Sequence, residues 1–209
     1  MRLVRGQRLE EGQLTAFLVI GDGHHDESVL EALLKRFESR EQKKALLMPQ
    51  DRPALGLAGS LDLAAYLIRR FGKDVLVVID REHFSRNFYQ LLGEVLRKHQ
   101  LGQYTIRRRR TRGFREVEVR RDEEIVKLYV AVMGFERRVE EAEAVLIREF
   151  FGVEVEPEKG VIRSFLKEKG MSVEDLIMRA GEAKLKKAFP SAFVNLLKKW
   201  GRVPSLSWA

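Results

Sequence analysis

The chain has 209 residues, 44% of them apolar and 33% charged, enough to bury a sizeable core and too apolar for a disordered protein. It holds no cysteine, which excludes disulfides, thiolate metal sites and cysteine nucleophiles together. A net charge of +8 and a pI near 9.8 favour an acidic partner, with nucleic acid (DNA or RNA) first, over a surplus of Lys and Arg that merely keeps the protein soluble.

No run approaches the roughly 18 apolar residues a membrane span requires. The first thirteen residues lack the apolar stretch of a secretory signal, so the expectation is a cytoplasmic protein with no membrane partner. Only Asn87 and Asn195 are asparagines, which with so many charges is compatible with a thermophilic source.

Residues 1 to 13 read as a lead-in strand or arm. Leu14 to Ile20 is an apolar strand that stops at Gly21-Asp22-Gly23-His24-His25-Asp26. A helix over Glu27 to Arg40 follows, with Val29, Leu30, Leu33, Leu34 and Phe37 on one face and Asp26 placed as its N-cap. Ala45 to Met48 is a second strand, and Pro49, Pro53, Gly56 and Gly59 mark a loop. Ser60 is then the expected N-cap of a helix from Leu61 to Phe71 closed by Gly72. Val75 to Ile79 is apolar throughout, as strands covered on both faces are, and Ser85 can cap a helix presenting Phe88, Leu91, Leu92, Val95 and Leu96. The β-α-β-α-β-α order predicts an α/β fold: a mostly parallel sheet with right-handed crossovers and flanking helices.

The pattern then changes. Tyr104 to Arg110, Phe114 to Arg121 and Ile125 to Met133 read as strands, the first two forming a basic β-hairpin at about 103 to 121. From Arg137 the chain is helical, with a capping box at Ser172 and Asp175 and Pro190 opening the last helix. The division drawn is therefore 1 to 136, an α/β domain, and 137 to 209, a helical region. Trp200 and Phe150-Phe151 read as core or interface, and an exposed Trp200 would suit a homo-oligomer.

The first and third strands of the α/β unit both end in carboxylates. Adjacent parallel strands lie about 4.8 Å apart, which brings Asp22 and Asp80 together if those strands are neighbours. Asp80 and Glu82, two residues apart, share a side of extended chain. Three clustered carboxylates repel one another unless a cation sits among them, and hard oxygen ligands select Mg²⁺ or Mn²⁺. The plainer alternative is that these acids end strands and cap helices.

Asp22-Gly23-His24-His25-Asp26-Glu27 resembles the Glu-Gly-x-x-Asp turn of the topoisomerase–primase (TOPRIM) domain, and Asp80-Arg81-Glu82 resembles its Asp-x-Asp. The likeness covers about residues 14 to 100 and implies a TOPRIM/Rossmann-like fold, Mg²⁺ binding and action on nucleic-acid phosphodiesters. Carried over by position, Asp22 takes the glutamate's role as general acid/base or ligand, Asp80 and Glu82 hold metal, and Asp26 matches the aspartate after the turn. The pattern is departed from at Asp22, one methylene short, at Glu82, one methylene long, and at Gly21, where an apolar residue is usual. A displacement near 1 Å can cost on the order of a hundredfold in rate, which favours binding over turnover. His24, His25 and His83 are phosphate contacts, proton donors (His25 foremost) or Mn²⁺ ligands on one reading, and exposed loop histidines on the other.

Arg107, Arg108, Arg109, Arg110 and Arg112, followed by Arg115, form the basic stretch. Arginines on consecutive strand positions point to both faces, which places this strand at a sheet edge or on a projecting hairpin. Guanidinium forks suit phosphate oxygens and such a ribbon can track a nucleic-acid backbone; the alternative is an edge strand protected from aggregation by charge. Three functions follow in order: a Mg²⁺-dependent nuclease performing hydrolysis, a non-catalytic nucleic-acid-binding or assembly protein, and a small-molecule phosphohydrolase.

Overall fold

A computed structural model describes residues 2–5, 13–21, 24–38, 45–49, 55–84, 87–107 and 113–201, with backbone alone at 2 and 24–26. Among these, seven strands form one sheet: β1 (Arg2–Arg5), β2 (Leu14–Ile20), β3 (Ala45–Met48), β4 (Val75–Asp80), β5 (Tyr104–Arg107), β6 (Phe114–Arg121) and β7 (Glu124–Met133). Their order across the sheet is β1-β3-β2-β4-β7-β6-β5. The first five in that order pair parallel, while β6 runs antiparallel to both β7 and β5. The apolar runs in β2 and β4 have a simple cause. Both strands lie inside the sheet with helices on each face, so Ala16–Ile20 and Val75–Ile79 are fully or almost fully buried.

The helices are α1 (His24–Arg36), α2 (Gly56–Phe71), α3 (Phe88–Lys98), α4 (Glu140–Phe151), α5 (Lys159–Glu168), α6 (Val173–Arg179), α7 (Glu182–Ala188) and α8 (Ser191–Gly201). One sheet face presents Phe17, Val19, Val77, Ile79, Val117 and Val130 to α2 and α3. The other presents Leu18, Ile20, Leu76, Val78, Phe114 and Met133 to α1 and to α4 through α8. The result is three layers, with the C-terminal helices sharing a core with the sheet they cover. Trp200 lies in that core, 8% exposed, with its ring edge-on to Tyr129 at 5.4 Å. It therefore offers no face to a second subunit.

Several expected boundaries move. α1 opens at His24, so Asp26 falls inside its first turn and not at its N-cap. α2 opens at Gly56, four residues before the expected cap; Ser60 is buried within it and its hydroxyl donates to the Gly56 carbonyl at 2.6 Å. The capping box at Ser172 and Asp175 is present at the start of α6. β5 is the sheet edge expected for the arginine strand, described as far as Arg107; residues 108 to 112 and Ser85 lie outside the described residues.

Candidate functional site at the carboxyl end of the parallel strands

β2 and β4 are neighbours in parallel register, Ile20 opposite Val78, so the condition for bringing their following residues together is met. The Gly21 amide donates to the Val78 carbonyl at 2.8 Å, and the Gly21 carbonyl accepts from the Gly56 amide at 2.9 Å. A Cβ at Gly21 would stand 2.9 Å from the Ser60 hydroxyl and 3.2 Å from the Ile79 side chain. Close approach of α2 thus explains a glycine where an apolar residue was expected. Asp22 itself and the side chains of His24, His25 and Asp26 lie outside the described residues.

Asp80 ends β4 opposite Met133 of β7 and is 6% exposed. Its Oδ1 accepts the Val139 amide at 3.1 Å, at the amino end of α4. A carboxylate there meets an otherwise unpaired helix N–H and the positive end of the helix dipole. After Asp80 the chain leaves the extended conformation for a 3₁₀ turn over Arg81–His83, so the alternation argument that set Asp80 and Glu82 on one side does not apply. Both acids nevertheless reach the same segment. Glu82 Oε2 lies 3.4 Å from Arg138 Nε, Glu82 Oε1 lies 3.6 Å from His83 Nε2, and the Glu82 amide donates to the Arg137 carbonyl at 2.9 Å. The charge of Glu82, then its hydrogen bond, raises the Arg138 guanidinium above its ordinary value.

The segment facing these acids is itself held by an acid. Glu141 accepts the amides of Phe135, Glu136 (2.7 Å) and Arg137 (2.9 Å), which closes the turn between β7 and α4. Glu140 and Glu143, on the first turn of α4, are 8% and 0% exposed. Sequence reasoning passed over these glutamates. Their signal was present, since three acids in four residues interrupt the apolar face of Val139, Ala142 and Leu146.

The expected arginine ribbon divides. Arg107, on edge strand β5, is well exposed and pairs through Nε with Glu118 at 2.9 Å. Arg108, Arg109, Arg110 and Arg112 lie outside the described residues. Arg115 does not project with them. It is half-buried on β6, donates to the Phe114 carbonyl at 2.9 Å, and sets its guanidinium 5.8 Å from the centre of the Phe84 ring. Arg81 approaches the same ring at 5.9 Å, so two guanidiniums flank Phe84 just beyond the end of β4. Arg81, Arg138 and Glu141 are the residues the motif did not name.

The chain is an α/β protein with a mostly parallel sheet, and acids and guanidiniums stand at the carboxyl ends of its parallel strands, the end at which open α/β sheets generally bind ligands. Comparison with family models, with curated proteins and with solved structures gave no match. Among the described residues no three His, Asp or Glu side chains stand close enough to hold a metal ion. The donor chemistry of these side chains, carboxylate oxygens without thiolates, is the kind that suits a hard cation. No helix among the described residues is long and apolar enough to cross a membrane.

Proposed function

We propose that this is a Mg²⁺-dependent, TOPRIM-like protein that acts on nucleic-acid phosphodiesters as a nuclease. The observation that carries the reading is Asp80, an almost wholly buried carboxylate at the end of β4, on the strand beside β2. The motif-bearing turn follows β2 in the sequence. In this reading Asp80 and Asp22 hold Mg²⁺ or Mn²⁺, with Glu82 and Asp26 beside them and His25 as proton donor. A cation so held stabilises negative charge developing on phosphate oxygens. Arg81 and Arg115 bind the phosphate next to the site, and Arg107 with the arginines after it guides the strand. Phosphoryl transfer asks a protein mainly for this positioning and charge stabilisation.

A second reading, a nucleic-acid-binding or assembly protein without turnover, is supported by the Arg138 guanidinium beside Glu82. Arg138 occupies one charge-bearing face of the acid that the motif assigns to metal. Incubation with labelled single- and double-stranded DNA and RNA in Mg²⁺, Mn²⁺ or EDTA separates the two. Metal-dependent cleavage abolished by Asp80→Asn supports the nuclease. Salt-sensitive binding without cleavage supports the second reading, and neither result ends both.

A further inference from the structure

We propose that the cavity between the carboxyl end of β7 and the α7–α8 junction receives a single unpaired nucleobase of the bound strand. This rests on the nucleic-acid reading above and adds to it a particular contact. The cavity holds about 230 Å³ and is lined by Phe135 and Pro190, by Gly113 and Gly134, and by Lys186 and Lys187. Ligand pockets for drug-sized molecules run from about 300 to 1,000 Å³, so this one suits a single planar ring and not a whole nucleotide.

Its position follows from the sheet. Gly134 is the residue after Met133, which stands opposite Asp80 in the β4–β7 register. The cavity lining therefore begins at Gly134, one residue beyond a point one strand spacing, about 4.8 Å, from Asp80. A base seated here belongs to a nucleotide next to the phosphodiester at Asp80. Gly113, which lines the cavity, directly precedes β6 and directly follows the arginine-bearing stretch in the sequence.

The lining matches the two halves of a nucleotide. Phe135 and Pro190 are half-buried and present apolar surface, the kind of face on which a base stacks whatever its identity. The wall near Gly113 is tight and rigid. This residue has φ +72°, and a Cβ there would stand 2.8 Å from the Val132 carbonyl and 2.9 Å from Pro190. Lys186 and Lys187 form the cationic rim. Lys186 pairs with Glu182 at 2.6 Å and Lys187 with Glu149 at 2.7 Å. Exposed pairs of this kind contribute little, so a phosphate can replace the carboxylate at Lys187, which is 61% exposed, at small cost.

The test uses the full chain, without metal, and a short single-stranded oligonucleotide carrying 2-aminopurine or an abasic site at each position in turn. Binding should change the 2-aminopurine fluorescence at one position above all, and an abasic site at that position should weaken binding about 5- to 150-fold. Phe135→Ala should weaken the intact oligonucleotide over the same range and leave the abasic one unaffected. The abasic arm alters no protein residue, so it stands even if the variant folds poorly. Tight binding that neither the abasic series nor Phe135→Ala alters overturns the base pocket and leaves the nucleic-acid reading in place. Failure of the unaltered protein to bind any oligonucleotide overturns both.

Discussion

Replacing Asp80 by alanine isolates its role in the fold from any role toward a ligand. The carboxylate accepts the Val139 amide across 59 residues of sequence and so supplies α4 with the cap that its own flanking residue lacks. Loss of a side-chain cap costs about 0.5 to 2 kcal/mol. Loss of a negative charge at a helix amino end costs a further 0.3 to 1 kcal/mol or so, toward about 2 when partly buried. Relief of the desolvation of a carboxylate that is 6% exposed acts in the opposite direction. The net expectation for Asp80→Ala is a loss of about 1 to 3 kcal/mol, and a chain of this size loses about 2 to 4 °C in Tm per kcal/mol. Asp80→Asn retains an oxygen acceptor and should lose only about half as much. Urea denaturation of the three proteins, with equal m-values as a condition, measures these differences. Stability in Asp80→Ala equal to or above that of the parent would refute the capping role and leave Asp80 a buried charge kept for another purpose.

Four other outcomes follow from the same structure. Hydrogen bonds from Lys186 and then Lys198 hold Glu182 down to about 2 from its ordinary 4.5. Its contribution to stability is thus full above pH 4.5 and fades as pH falls toward about 2. The gap between parent and Glu182→Gln in an acid denaturation series should close over that interval. Burial pushes Asp74 up despite the Lys127 amide it accepts at 2.9 Å, so its ionised form opposes folding. Asp74→Asn should gain stability relative to the parent as pH rises through the carboxylate range, with no gain in acid; a pH-independent difference would contradict this. Trp200→Ala should cost about 3 to 5 kcal/mol by thermal or chemical unfolding. A chain ended at residue 136 should fail to fold as a soluble monomer, because Phe114, Tyr129 and Met133 lose the helices that bury them.

The α/β architecture was legible because burial on both faces writes itself as uninterrupted apolar runs, as in Val75 to Ile79, and an amphipathic face as spaced leucines, as in α1. Local polar choices were less so. Ser60 carries the hydroxyl of a cap, yet the same hydroxyl serves equally well inside a helix, bonded back to Gly56. Which it does depends on where the chain turns into helix, here at Gly56, and no short-range pattern states that. The site was legible only as far as strand ends allow. Gly21 followed by an acid, and Asp80 closing β4, are local facts; Asp80 with Val139 and Glu82 with Arg138 are contacts made 59 and 56 residues apart. Arg115 was grouped with its arginine neighbours in sequence, whereas strand alternation turns it to the sheet face that carries Phe84.

Titration of the metal-free protein with Mn²⁺, followed by calorimetry or by loss of the free-ion electron paramagnetic resonance signal, addresses the carboxyl end of β4 most directly. Saturable binding at one site, competed by Mg²⁺ and weakened at least about tenfold in Asp80→Asn, is the expected result. Equal Mn²⁺ affinity in the two proteins, or no saturable binding in either, would contradict a cation site built on Asp80.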